Sequence, residues 1–139
     1  MMHSHRLTLD AHTLIWYYHQ ESNIRLSQGA LTAIVEAERN GIIFVPVIAL
    51  IEILWMLERG KYPLTFDEIL QDLANNPVYN IMPLTMEIVK AMKNLSGMEL
   101  HDRAIVATAL ITDSIIVTKD KELRTSGLKV IWSKQDGII

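Results

Sequence analysis

The chain of 139 residues contains no cysteine. Disulfide frameworks, thiolate metal sites and cysteine nucleophiles are therefore excluded. It has no excess of positive charge: 13 Lys and Arg stand against 16 Asp and Glu, a net charge of -3. A nucleic-acid partner would have to be met by a local basic patch or by metal ions, because overall charge does not favour it. No apolar run is long enough for a membrane span. The longest, Ile42 to Leu57, is short and is broken by Pro46 and Glu52. The opening MMHSHRLTLD has no apolar leader core. There is no repeat, linker or low-complexity stretch. These absences lead to the expectation of a single domain over 1–139, in a reducing cytoplasm and away from membranes.

Half of the residues are apolar, enough for a real core. Arg6–Asp10, RLTLD, alternates and stops at an acid, as a short strand does. AHTLIWYYHQ spaces Leu14, Ile15 and Tyr18 along one helix face. LSQGALTAIVEAERNG reads as a helix starting near Ser27 and stopped by Gly41. IIFVP is a continuous apolar strand of the kind buried on both faces of a parallel sheet. VIALIEILWMLERG is a helix closed by Gly60. TFDEILQDLANN opens with a capping-box pattern, Thr65 followed by Glu68, and is a further helix. VYNIMPL is a short strand, and TMEIVKAMKNLSG and ELHDRAIVATALITD are helices. SIIVT is a strand, KDKELRTSG a turn or short helix, and LKVIW a last strand. Strands alternating with helices predict an α/β fold, an open and mostly parallel sheet with helices on both faces. Right-handed crossovers place every strand C-terminus at one edge, where ligands bind.

Acids collect at that edge. Asp10 ends the first strand. Thr118 ends SIIVT, and Asp120 follows it. Asp102 falls in the first turn of its helix, whose start lies at the same edge. Glu52 lies one to two turns into the helix after the second strand, with Leu50, Ile51, Ile53, Leu54, Trp55 and Leu57 around it. Those neighbours leave little room for a solvent face, and a lone buried carboxylate is costly. Like charges gathered this closely repel unless a cation sits among them. Oxygen donors without cysteine or clustered histidine suit Mg²⁺ or Mn²⁺. Each acid also has an ordinary structural reading. Asp10 can cap the following helix, Asp102 can complement a helix dipole, and Asp120 can hold a turn.

Three stretches resemble PIN-domain nucleases: LTLDAHTLIWYY, VIALIEILWMLERGK and, most specifically, HDRAIVATALITDSIIVTKDKELR. They follow the family's order and spacing over nearly the whole chain, and its size resembles the compact VapC-type toxins of toxin–antitoxin pairs. The resemblance implies a three-layer αβα sandwich around a mostly parallel five-stranded sheet. It implies Asp10, Glu52, Asp102 and Asp120 as the acidic, metal-holding site, with Thr118 beside it. It further implies a Mg²⁺- or Mn²⁺-dependent endoribonuclease, RNA as substrate, a small antitoxin protein as partner and a homodimer. One departure is MELHDR: many relatives carry Asp-Pro-x-Asp-Arg there, where this chain has Glu99 and Leu100. That puts a supporting role for Glu99 in doubt and leaves Asp102 untouched.

In the implied chemistry Asp10 and Asp102 are the main metal ligands, and Asp120 binds directly or through water. Glu52 ligates through water or acts as general base, and Thr118 holds a carboxylate or water by hydrogen bond. Arg103, Lys119, Lys121 and Arg124 lie near the edge as phosphate contacts or as ordinary solvated charges. His12 has an ordinary structural role or donates to substrate, and His3 and His5 read as terminal residues. Trp16, Tyr17, Tyr18 and Trp55 stack on bases or belong to core and interface. Other classes compete with the nuclease. A haloacid-dehalogenase-type phosphatase would want a second acid where DAHT has His12. A phospho-accepting receiver would want a lone Asp after IIFVP. A metal-free binding module would keep the fold alone.

Overall fold

A computed structural model describes residues 5–120, 123 and 129–132. Five strands form the sheet: β1 (Arg6–Leu9), β2 (Ile42–Pro46), β3 (Tyr79–Met82), β4 (Ile115–Val117) and β5 (Val130–Ile131). Their order is β3-β2-β1-β4-β5, and every pairing is parallel. The sheet expected to be mostly parallel is therefore wholly so. Among the described residues six α-helices connect and cover it: α1 (Ala11–Tyr18), α2 (Gln28–Asn40), α3 (Val47–Glu58), α4 (Phe66–Asn75), α5 (Met86–Met92) and α6 (Leu100–Thr112).

The inner strands β2 and β4 are apolar without a break because both faces are covered, whereas β1 carries Thr8 and the edge strand β3 carries Asn80. Leu7, Leu9, Ile43, Val45, Ile115 and Val117 point into a core completed by Leu14 and Ile15 of α1, Ile34 of α2, Ile53 of α3 and Ile69 of α4. The intervening Ile116 and Val130 point the other way, onto Ile105, Val106 and Ala109 of α6. Alternate residues of one strand thus feed two helical layers, which makes the three-layer sandwich. The second face carries a polar element as well. Thr8 Oγ1 lies 2.6 Å from Ser114 Oγ, and Ser114 Oγ lies 2.9 Å from Thr112 Oγ1, all buried.

The termini of the helices follow local chemistry. Ser27 caps α2 by accepting from Ala30 N–H, and Thr85 caps α5 by accepting from Ile88 N–H. The capping box expected at Thr65 does not form, since its hydroxyl makes no cap hydrogen bond. The N-terminus of α4 instead carries Asp67 and Glu68 in its first turn, which complement the dipole. Gly41 is the C-cap of α2, and a side chain is excluded there because a Cβ would lie 2.0 Å from the His5 carbonyl oxygen. No helix among the described residues is long and apolar enough to cross a membrane. The readings made for His3, Lys121 and Arg124, and for most of KDKELRTSG, lie outside the described residues.

Candidate active site

The chain moves from β1 to β2 on one side and returns to place β4 on the other. Between β1 and β4 the direction of winding reverses, and their C-terminal ends diverge into a crevice. Leu9 is in register with Val117, so the next residues, Asp10 and Thr118, lie side by side. The fully buried Thr118 donates its hydroxyl to Asp10 Oδ2 and accepts at the same Oγ1 from the Asp120 backbone N–H at 3.1 Å. Asp10 Oδ1 accepts from Thr13 N–H at 2.9 Å. One threonine hydroxyl thus ties together the ends of the β1 and β4 segments. The capping role open to Asp10 from the sequence is real, and it leaves Asp10 at the crevice. Asp120 also fills its ordinary role, its Oδ1 accepting from Leu123 N–H at 3.3 Å.

Asp10, Glu52, Asp102 and Asp120 all line one cleft of about 560 Å³, together with Glu99, Lys119 and Trp16. Four separate segments supply the four acids. Burial pushes the Glu52 carboxyl above the usual carboxylate range. The nearby His101 opposes that push, and the negative charges of Asp10, Asp102 and Glu99 add to it. Glu52 has no solvent-free surroundings of the kind its sequence neighbours suggest. Its helix does have an open face, formed by Ile51 and Trp55, which are 52% and 53% exposed. Glu52 borders that face, half-buried.

Two residues of the rim carry little signal in the sequence. Glu99 is the N-cap of α6 and accepts from the backbone N–H groups of His101 (3.1 Å) and Asp102 (3.3 Å). It therefore orients the turn that presents Asp102, a supporting role that the departure at MELHDR had put in doubt. His101 Nδ1 lies 2.7 Å from Glu99 Oε2. That hydrogen bond holds the Glu99 carboxyl below its ordinary range and raises the His101 imidazole. The only signal for either was their place beside Asp102, because glutamate is an uncommon cap.

Two further side chains named from the sequence are placed as follows. Arg103 Nε donates to the Met98 carbonyl at 2.9 Å. Lys119 is exposed, with its ammonium 5.8 Å from the centre of the Trp16 ring. Trp16 itself is core, and His12 packs on it at 5.3 Å between ring centres. Tyr17 Oη donates to Glu38 Oε1 (2.7 Å) and Tyr79 Oη to Glu38 Oε2 (2.6 Å). Tyr17 therefore belongs to a hydrogen-bonded cluster away from the acids, as does Tyr18, which donates to Asp72.

The donor set can be tested against a divalent ion on its chemistry. The cleft offers carboxylate oxygens and no sulfur, which suits a hard cation. Among the described residues no three His, Asp or Glu side chains lie close enough to hold one ion together. That spacing fits an ion held by one or two carboxylates with water completing its shell, the usual manner of Mg²⁺.

Comparison with known proteins gives one family: a model of the PIN domain matches residues 7–127. An uncharacterized protein of Archaeoglobus fulgidus is 30% identical over 54 residues, covering 39% of this chain and 88% of that protein. Among solved structures, VapBC2 from Rickettsia felis bound to a promoter DNA fragment is similar with a TM-score of 0.69. It is 14% identical, over 91% of this chain and 98% of that one. A toxin–antitoxin complex from Klebsiella pneumoniae gives a TM-score of 0.60 at 17% identity, over 90% and 95% of the two chains. FitAB bound to the IR36 DNA fragment gives 0.58 at 13% identity, over 90% and 93%. At these identities the structural likeness concerns the fold.

Proposed function

The chain belongs to the PIN-domain family, and on that ground we propose that it is a metal-dependent endoribonuclease, the toxin of a toxin–antitoxin pair. It acts as one nuclease domain over 1–139. The observation that carries this reading is the cleft shared by Asp10, Glu52, Asp102 and Asp120 at the point where the sheet reverses its winding. Asp10 and Asp120 also serve local structure, but those local roles do not require four like charges from four segments to share one cleft. A function that needs them there explains the arrangement.

The residues divide the work as follows. Asp10 and Asp102 are the main ligands for Mg²⁺ or Mn²⁺, and Asp120 and Glu52, too widely spaced to join them on one ion directly, serve through water. A bound ion supplies an acidified water and a polarised phosphate. Thr118 keeps Asp10 aimed into the cleft by its hydrogen bond. Glu99 holds the first turn of α6, and so Asp102, in position. Glu52, whose carboxyl binds a proton more readily than usual, is suited to accept one from the attacking water. Lys119 at the rim offers a cation to the phosphate backbone. Three of the similar structures are complexes of toxin–antitoxin type, which supports a small inhibitory protein as partner. The apolar-rich chain supports a homodimer.

A second reading, a metal-free binding module, draws on the spacing of the acids, since no three of those described can surround one ion. Mn²⁺ titration followed by an RNA cleavage assay decides between them. The nuclease reading expects metal binding and cleavage that chelator abolishes and added metal restores. Cleavage that survives both chelator and Asp10→Asn would overturn it.

A further inference from the structure

The acid cleft does not end at Glu52. It adjoins a second depression of about 410 Å³ and shares His12 and Glu52 with it. The far wall of that depression is Trp55, Ile51 and Lys61. Trp55 is 53% exposed although it sits on a helix of mean apolar character. Two cations attend its ring: the Arg59 guanidinium at 4.3 Å and the Lys61 ammonium at 5.5 Å from the centre. Neither forms an ion pair among the described residues.

Local structure explains how they come together. Trp55 and Arg59 are one helical turn apart. Gly60 then adopts a left-handed backbone, φ +74, that ends α3. Gly60 N–H donates to the Leu57 carbonyl (3.0 Å) and Lys61 N–H to the Met56 carbonyl (3.3 Å). This closing turn folds the chain back and carries Lys61 over Trp55.

We propose that Trp55, Arg59 and Lys61 form a platform for an unpaired nucleotide of the RNA, next to the bond that is cut. This inference rests on the nuclease reading and adds to it three residues that hold the substrate beside the acidic cleft. A base stacks on an aromatic face only when it is free of its own helical neighbours, so the platform selects unpaired segments over duplex. The two cations neutralise phosphates along the path into a cleft that is itself acidic. On a chain of net charge -3, a pair of cations over an exposed indole beside the cleft suits a polyanion that carries aromatic bases. An apolar protein surface would match Ile51 and Trp55 but would leave both charges without a counterpart.

The test uses the full chain and a short, fluorescein-labelled RNA of mixed sequence, presented single-stranded and as a duplex. Anisotropy is read in chelator, so that binding is separated from cleavage. Wild type binds the single strand more tightly than the duplex. Trp55→Ala weakens single-strand binding about tenfold, and Trp55→Phe keeps most of it. Arg59→Gln with Lys61→Gln, two exposed changes outside the core, lowers the slope of log affinity against log salt by about 1.4. Asp10→Asn binds at least as well as wild type. Unchanged binding in Trp55→Ala, an unchanged salt slope in the double variant, or no preference for the single strand would each overturn the platform. So would a change in oligomeric state of Trp55→Ala at unaltered RNA affinity, which would assign the face to a protein partner. If instead Trp55→Ala and the double variant behave as expected while wild type with Mn²⁺ never cuts, it is the nuclease reading that fails.

Discussion

Replacing Thr118 by valine probes the centre of the site at nearly constant volume. Its hydroxyl is fully buried and bridges two groups, the Asp10 carboxylate and the Asp120 N–H. A hydrogen bond to a charged group contributes roughly 1.5–3 kcal/mol, and a partner left unsatisfied raises the cost of removal towards the upper end. Asp10 keeps its bond from Thr13 N–H, and both acids line the cleft, so water can replace part of what is lost. The expected destabilisation of Thr118→Val is therefore about 2 kcal/mol, read by urea unfolding with tryptophan fluorescence. Thr118→Ser keeps the hydroxyl and should recover more than half of that loss. Combined with Asp10→Asn, Thr118→Val should cost less than the sum of the two, by at least about 1 kcal/mol, because the two changes remove the same charge-assisted bond. Mn²⁺ affinity should fall in Thr118→Val and be retained in Thr118→Ser. Additive stabilities within about 0.5 kcal/mol, with Mn²⁺ affinity unchanged, would refute the view that this hydroxyl holds the carboxylate in place.

Glu52→Gln removes a charge that burial and three neighbouring acids disfavour. Its raised carboxyl means that native stability is lost as pH rises from the ordinary carboxylate value through the folded one. The variant should accordingly be as stable as wild type or more so at neutral pH, flatter in pH, and weaker for Mn²⁺, with Glu58→Gln as the inert control. A large loss of apo stability in Glu52→Gln alone would mark it as half of a buried ion pair. Burial and the Glu38 carboxylate push the Tyr17 and Tyr79 phenols well above their ordinary 10.0. Phenols that resist ionisation only in the native state make stability fall as pH rises past that value, which alkaline urea titrations with phenolate absorbance would follow. Glu38→Gln should move the onset of ionisation downward. Gly41→Ala places a methyl group against the His5 carbonyl and should cost about 1–3 kcal/mol by thermal melting.

The sheet and most of its helices were legible because their signals are local. Uninterrupted apolar strands, Ser27 and Gly41 as helix limits, and an acid directly after β1 each carry a physical consequence within a few residues. That Asp10 and Thr118 lie at one edge was legible, because parallel strands end on the same side of a sheet; that they are neighbours depends on the pairing of β1 with β4. What stayed hidden depends on three dimensions. Glu99 as a cap could not be expected from preference alone. The open face of α3 could not be seen in a helix where nearly every residue is apolar, since periodicity fails when both faces carry the same chemistry. Trp55 is exposed where its neighbourhood reads as core. The failed capping box at Thr65 is the opposite case, a correct motif whose geometry did not close.

The order of the strands bears on the time course of folding. β1 is central in the sheet, yet the side that receives β4 waits for residues far along the chain: the bond from Thr118 to Asp10 spans 108 positions. During synthesis β1 therefore exists with one open hydrogen-bonding edge until β4 has been made. Contacts of such long separation slow folding, and an open apolar edge invites wrong pairing in the interval. Asp10 and Asp120 also meet only when that edge closes. A half-made chain thus has helices and part of a sheet but no cleft, and any activity of the cleft arrives in one step with the last pairing of the central strand.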